Sequence, residues 1–271
     1  MTGAKRAERI GVSARRGGLA AALAACLVPA VLAGALARPL EAIQARGLLS
    51  LCAHPNALPF ASKSSDPPGF QIELGEALAE KLGVALTVEW VISGFQFRRA
   101  DCDIILDTIL NREAQEDRDL RLSKPYHLSG VALALRPGTN GIASADDLAG
   151  RRIGTQVGSI VQMLLGQRGV RTIPFGFEDD MIDALAGGEI DGAVISPLTI
   201  GYFNFTNPDR QVRLLDIFAA EPDLNWEVGV GMRRSDRFLR KAVDGALEAL
   251  LAEGNIRSIY ARYGIEHRPP E

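Results

Sequence analysis

Apolar residues recur in two rhythms along this chain, and the change of rhythm marks its elements. Leu48, Leu49 and Leu51 give residues 46–53 the density of a buried strand. Pro55 and Pro59 end it, because proline cannot donate to a ladder. A polar, proline-rich stretch over 62–68 follows. Leu74, Ala77, Leu78 and Leu82 then fall at helical spacing, with Gly83 as the stop. Residues 84–91 predict a second strand, and Asp103-Ile104-Ile105-Leu106 a third, buried and parallel. Units of this length predict an α/β sheet.

The dense charge of NREAQEDRDLR, residues 111–121, reads as a solvated helix. Residues 131–135 are apolar and extended, ended by Pro137-Gly138. A second α/β series begins there: strand 151–157, helix 159–167, strand 171–175, helix 178–185 and strand 191–195. Residues 227–232 read as an extended return. The tail is helical. Ser235 is placed to cap a helix with Phe238, Ala242, Val243, Ala246, Leu247 and Leu250 on one face. Gly254 ends it, and Asn255 is placed to cap a last helix through Tyr263. The pattern therefore predicts two α/β lobes, residues 38–134 plus 231–271 and residues 135–230. Extended crossings near 131–136 and 228–233 join them. Two such tethers make a hinge, and the cleft between lobes is where a ligand is expected.

The start of the chain changes the picture. Lys5, Arg6, Arg9, Arg15 and Arg16 precede an uncharged run from Gly17 to Ala37 that ends Ala35-Leu36-Ala37. A basic region, an apolar region and an A-x-A site read as a secretory signal cleaved after Ala37, which implies a periplasmic protein. A retained anchor is the rival, and Leu23-Ala24-Ala25-Cys26 raises lipidation at Cys26 as a further alternative. The whole chain carries a formal net charge of −3. Cleavage removes five positive charges and Glu8, leaving about −7 by this count. An acidic protein without a basic stripe argues against nucleic acid and against anionic membrane surfaces. A monomer is expected. Cleavage also leaves two cysteines, Cys52 and Cys102, for which one disulfide is expected in an exported domain, with two free thiols as the alternative.

Several segments carry a resemblance. Gly69-Phe70-Gln71-Ile72-Glu73-Leu74 with ALAEKLGV, Ser123-Lys124-Pro125-Tyr126, Asp147-Leu148-Ala149-Gly150 with RRIGTQVGS, and Leu185 to Asp191 stand in one order. That ordered set resembles the family 3 extracytoplasmic solute-binding proteins and implies a two-lobe periplasmic-binding-protein type II fold. Cys52-Ala53-His54-Pro55-Asn56-Ala57-Leu58-Pro59-Phe60 and Cys102-Asp103 are further similar to the branch associated with periplasmic quinoprotein (methanol-type) dehydrogenases. His54 stands where that branch usually has Asp, and Pro125-Tyr126-His127-Leu128 where it has P-Y-Y-R.

The family resemblance implies a ligand carboxylate at an arginine and at a glycine-hydroxyl turn, and an ammonium group at an aspartate. Gly158 and Ser159 keep the turn, with Ile160 in place of a second hydroxyl. Arg112, which follows Thr108, is the candidate carboxylate partner, with Arg118 its rival. The position of the ammonium-binding aspartate is Ser196. A hydroxyl is no counter-ion for a buried ammonium group, so a standard α-amino acid is not expected as ligand. Asn56, Phe60 and Phe70 belong near the crevice edge of the first sheet. Phe60 either stacks on a ligand or packs in the core, and Asn56 has a turn role as its alternative.

No G-x-S-x-G, H-E-x-x-H or P-loop occurs, and His54, His127 and His267 are scattered. No cofactor or metal is expected. Two non-catalytic roles compete: delivery of a solute to an ABC permease, and an accessory role beside a quinoprotein alcohol dehydrogenase. An enzyme of the dehydratase kind on the same fold is the alternative class, without an acid–base pair visible in the sequence.

Overall fold

The leucine-rich run before Pro55 forms β1 (Leu48–Ala53), and every residue after Leu48 in it is buried. Residues 38–92, 94–110, 120–233 and 235–270 are described by this structure, a computed structural model. A helix that the pattern did not predict, α1 (Leu40–Arg46), precedes β1 and turns into it through Gly47. After the short hairpin of β2 (Asn56–Ala57) and β3 (Ala61–Ser62), α2 (Phe70–Lys81) buries Ile72, Leu74 and Leu78 at the predicted spacing. Its entry needs Gly69: φ is +97°, and a Cβ there would lie 2.5 Å from the Phe60 carbonyl oxygen.

The first sheet adds β4 (Ala85–Trp90), β5 (Ile104–Ile109), β6 (Leu120–Gly130) and β12 (Asn225–Arg233), in the order β4-β1-β5-β12-β6. A short helix, α3 (Gly94–Arg99), joins β4 to β5. β1 runs parallel to β4 and β5, while β12 runs antiparallel to β5 and β6. The second sheet holds β7 (Ala132–Leu135), β8 (Ile153–Gln156), β9 (Thr172–Phe175), β10 (Gly192–Ile195) and β11 (Arg213–Leu215), in the order β11-β7-β10-β8-β9. Around it lie α4 (Ile160–Gln167), α5 (Glu178–Gly187) and α6 (Pro197–Thr206). This is the expected mixed α/β, two-lobe periplasmic-binding-protein type II architecture.

Only Val131 separates β6 of the first sheet from β7 of the second. Its N–H donates to the Leu224 carbonyl at 3.1 Å, so the outgoing and returning chains touch there. Gly130 permits that approach, since a Cβ on it would meet the Leu224 oxygen at 2.6 Å.

One apolar core fills the first lobe, with Tyr126, Tyr260 and Tyr263 fully enclosed; two clusters fill the second. Cys52 and Cys102 are bonded across β1 and the start of β5, with Cα atoms 5.4 Å apart. Beside them, fully buried Asp103 accepts from Arg46 Nη2 at 2.6 Å, from Ser50 N at 2.8 Å and from Arg38 Nη1 at 3.0 Å.

Three tail expectations are corrected. The cap of α7 (Arg237–Ala252) is Asp236, whose Oδ1 accepts from Leu239 N at 2.7 Å, and not Ser235. Phe238 is exposed, because the buried stripe runs Leu239, Val243, Ala246, Leu247, Leu250 and passes it by. Gly254, not Asn255, precedes α8 (Asn255–Ala261), which ends before Tyr263. Residues 1–37, with the leader and Cys26, lie outside the described residues, as does most of the 111–121 segment.

Candidate functional site

Because β1 and β5 are parallel, their C-terminal ends share one edge of the first sheet. The 54–60 loop leaves from that edge. Opposite it, β8 ends in Gln156, and Phe177 follows β9 as the residue before α5. Between them lies a cavity of about 260 Å³, lined by Asn56, Ala57, Leu58 and Phe60 from the first lobe. Gln156, Phe177, Glu178, Asp179 and Thr199 line it from the second. The rings of His54 and Phe177 approach to 6.3 Å across the gap.

Glu178 is the chemical centre of the second lobe's wall. It opens α5, where a carboxylate suits the helix dipole. Its Oε1 accepts from Ser196 N at 3.2 Å, and its Oε2 accepts from Thr199 Oγ1. Burial pushes this carboxyl above its ordinary value, against the pull of those two hydrogen bonds. Ser196 itself is spent locally: its Oγ accepts from Leu198 N at 3.2 Å and caps α6. The carboxylate on this wall comes from another position than the one the family pattern implies. Position 196 carries no acid, but Glu178 reaches the same backbone and supplies one.

The other expected residues divide. Asn56 and Phe60 line the cavity. Asn56 N donates to His54 Nδ1 at 3.1 Å, so it also shapes the turn. Phe60 is both things at once, a cavity wall on one side and a neighbour of Phe70 at 5.2 Å on the other. Phe70 is a core residue, corrected from the cleft: it is fully buried against Tyr260 at 4.7 Å and Tyr263 at 6.3 Å. The first residue of α2 faces back under the sheet edge, where the tail helix meets it. Thr108 turns toward β12, its Oγ1 donating to the Ile105 carbonyl at 3.3 Å beside Gly231. Arg112 and Arg118 lie outside the described residues.

Gly158 takes φ +70° and Ser159 caps α4, as the turn motif implies. Two donors of that turn are already taken by the chain's own groups, one from the helix and one from the end of β8. Gly158 N donates to Gln162 Oε1 at 2.8 Å, and Ser159 N donates to the Gln156 carbonyl at 3.2 Å. Ser159 Oγ accepts from Gln162 N at 3.2 Å.

A second carboxylate, in the first lobe, was also missed. Asp107 accepts from Gln71 Nε2 at 2.7 Å and from Tyr126 Oη at 2.8 Å. Its own N–H donates to the same phenol oxygen at 2.8 Å. Burial raises its carboxyl to about 6, opposed by the Gln71 and Tyr126 hydrogen bonds. It is a non-glycine residue at φ +50°, held by this ring of contacts. Among the described residues no group of three or more His, Cys, Asp or Glu is placed to hold a metal ion. No helix among them is long and apolar enough to cross a membrane.

Comparison with known proteins bears on this cleft. The sequence profile of bacterial extracellular solute-binding proteins, family 3, matches residues 49–266. The L-cystine-binding protein TcyJ of Escherichia coli K12 is 26% identical, over 83% of this chain and 85% of that protein. Among solved structures, an ancestral cationic amino acid solute-binding protein, AncCDT-1, superposes with a TM-score of 0.70 at 20% identity, covering 83% of this chain and 99% of that one. The L-cystine solute receptor of Neisseria gonorrhoeae, unliganded and open, gives 0.67 at 18% identity over 86% and 99%.

Proposed function

The chain belongs to the family 3 bacterial extracellular solute-binding proteins, and from that premise we propose that it is an exported carrier of a small amine-bearing solute. Its lobes close on a ligand of the amino-acid kind and present it to an ABC permease. The carrying observation is the cavity between the two sheet edges, with Asn56 and Phe60 on one wall and the half-buried Glu178 carboxylate on the other. A space of about 260 Å³ suits one small molecule and not a polymer. The relatives bind amino acids by name, which supports the ligand class. In this reading residues 1–37 are the export leader, and the mature protein works as a periplasmic monomer.

The test is a ligand panel of α-amino acids, amines, dicarboxylates and sugars, read by calorimetry on the exported protein. One amine-bearing class binds with micromolar affinity, and small-angle scattering shows a smaller radius of gyration on saturation. Absence of binding across the whole panel overturns the proposal.

A second reading has one observation in its favour. The Cys52–Cys102 bridge pins the root of the CAHPNALPF loop, the segment that resembles the quinoprotein-dehydrogenase-associated branch. An accessory role beside such a dehydrogenase predicts co-purification with it from the periplasm. A permease partner instead predicts ligand-dependent stimulation of its ATPase.

A further inference from the structure

We infer that Glu178 selects the ligand: its carboxylate takes the ligand's cationic group in the closed cleft, and the site admits amines with an apolar body while rejecting acids. This rests on the solute-binding reading above and narrows it.

Four observations carry it. Glu178 lines the cavity directly, whereas Ser196, at the position where an acid was sought, does not. Both of its oxygens are held from behind by Thr199 Oγ1 and Ser196 N, which fix its direction without neutralising it. Among the described residues it has no ion-pair partner; the ion pairs of the second lobe join Arg152 to Asp191, Arg168 to Glu221 and Arg210 to Asp183 instead. A half-buried carboxylate without a counter-charge is costly when the cleft closes over it, unless the ligand supplies the cation. Finally, Asp179 adds a second negative charge at the same mouth, while Leu58, Phe60 and Phe177 present apolar surface beside it.

The turn at α4 points the same way. Its Gly158 N–H is taken by Gln162 and its Ser159 N–H by Gln156, so a ligand carboxylate arriving there has to displace the chain's own groups. A cation finds its partner already waiting at Glu178. An anion finds that turn occupied and two carboxylates nearby.

Binding a cation also fixes Glu178 in its ionised form. Burial raises the free carboxyl, and neighbouring Asp179 raises it further, so closure on a cation releases a proton in mildly acid solution. Among the described residues, the charged and titratable groups facing this corner are Asp179 on the same helix and His54, whose ring meets Phe177 across the gap.

The experiment is calorimetry on the full exported protein with three probes: L-lysine, phenethylamine and L-glutamate. Wild type binds at least one of the two cationic probes and not glutamate. Glu178→Gln, with unchanged circular dichroism, loses about 30-fold or more in that affinity. It also loses the proton release, read as the difference in heat between two buffers at pH 5. Glu178→Asp keeps the preference for the cation at reduced affinity, and shows that loss in the Gln variant is loss of charge and not of fold. Equal affinity of Glu178→Gln and wild type for the bound cation overturns the inference and leaves the carrier reading standing. So does tight wild-type binding of glutamate. Wild type that binds nothing in the broader panel removes the carrier reading, and this inference with it.

Discussion

Each lobe carries a carboxylate raised by burial, Asp107 in the first and Glu178 in the second, and the two are treated in opposite ways. In the first lobe Asp107 is ringed by Gln71 and Tyr126, the phenol giving and taking a hydrogen bond with the same residue. In the second, Glu178 is held by two donors on one side and open to the cavity on the other. Burial raises both carboxyls. A perturbed acid is therefore not by itself a mark of the ligand site; what separates the two is whether the protein's own side chains have already closed the shell. The contrast extends to whole lobes. The first is stapled by Cys52–Cys102, cross-linked by Asp103 and packed around three buried tyrosines. The second shows no disulfide among the described residues and leaves its acid exposed to the cleft.

The largest way to break that contrast is to remove the staple. The bridge closes a loop of 50 residues, for which the chain-entropy account gives about 4 kcal/mol. Cys52→Ser with Cys102→Ser lowers the unfolding free energy by about that amount in urea titration. The first lobe then melts together with or before the second. A double variant as stable as wild type would show that the first lobe's rigidity comes from packing alone.

Acid comes next. His127 is buried, stacked on His267 at 5.4 Å and beside Tyr260 at 5.0 Å. Burial first, then the charges of His267 and Arg268, depress it to about 3 from an ordinary 6.5. As pH falls the unfolded chain takes the proton before the folded one. This contribution is thus intact above about 6.5 and is lost progressively toward 3, with on the order of 3 kcal/mol gone by pH 4. His267 is depressed as well and acts with the same sign. Asp107 and Glu178 act with the opposite sign, since their folded forms hold the proton more tightly. His127→Phe isolates the histidine: its stability falls less than that of wild type between pH 6.5 and 4. Parallel slopes in the two proteins would put the acid sensitivity elsewhere.

How much of this was legible in the sequence follows from what kind of signal each feature leaves. Leu74, Leu78 and Leu82, or Leu239 to Leu250, repeat with the helix period, so α2 and α7 showed as pattern. β6 did not, because Pro125 reads as a strand breaker. It is tolerated where the register with β12 shifts, between Val228 and Gly229. α1 went unseen because a seven-residue amphipathic turn beside an apolar leader has no periodicity of its own. The disulfide needed only the count of cysteines. The ligand-facing acid needed geometry. Glu178 at the start of a helix looks like any dipole-matched residue, and its closeness to Ser196 spans 18 positions in sequence. Phe70 failed the other way: an aromatic at a motif's start belongs equally to a core or a cleft, and only the packing of Tyr260 and Tyr263 decides.

A smaller effect tests whether the first lobe's acid is structural. Asp107→Ala leaves the enclosed Tyr126 phenol without its acceptor and puts alanine at φ +50°. We expect a loss of about 2 kcal/mol. Ligand affinity changes by no more than about 3-fold, since Asp107 does not line the cavity. A large loss of affinity with little loss of stability would place Asp107 with Glu178 and dissolve the distinction between them.

The smallest effect is the most specific, because its sign is the reverse. Glu178→Gln is expected to raise the stability of the unliganded protein, by about 0.5 kcal/mol. The amide fits the same two contacts. Its oxygen accepts from Ser196 N, while its NH₂ donates to Thr199 Oγ1, a hydroxyl that both gives and accepts. The Thr199 hydroxyl gives up its charged acceptor, a cost set against removal of the half-buried charge. At pH 7 the wild-type carboxyl is held above its ordinary value and its ionised form is penalised in the fold, which the amide avoids. A thermal melt one or two degrees above wild type, in the same protein that has lost its cationic ligand, is the signature of an acid kept for binding. A melt several degrees below would mean that Glu178 holds the second lobe together, as Asp107 holds the first, and that the two acids serve alike.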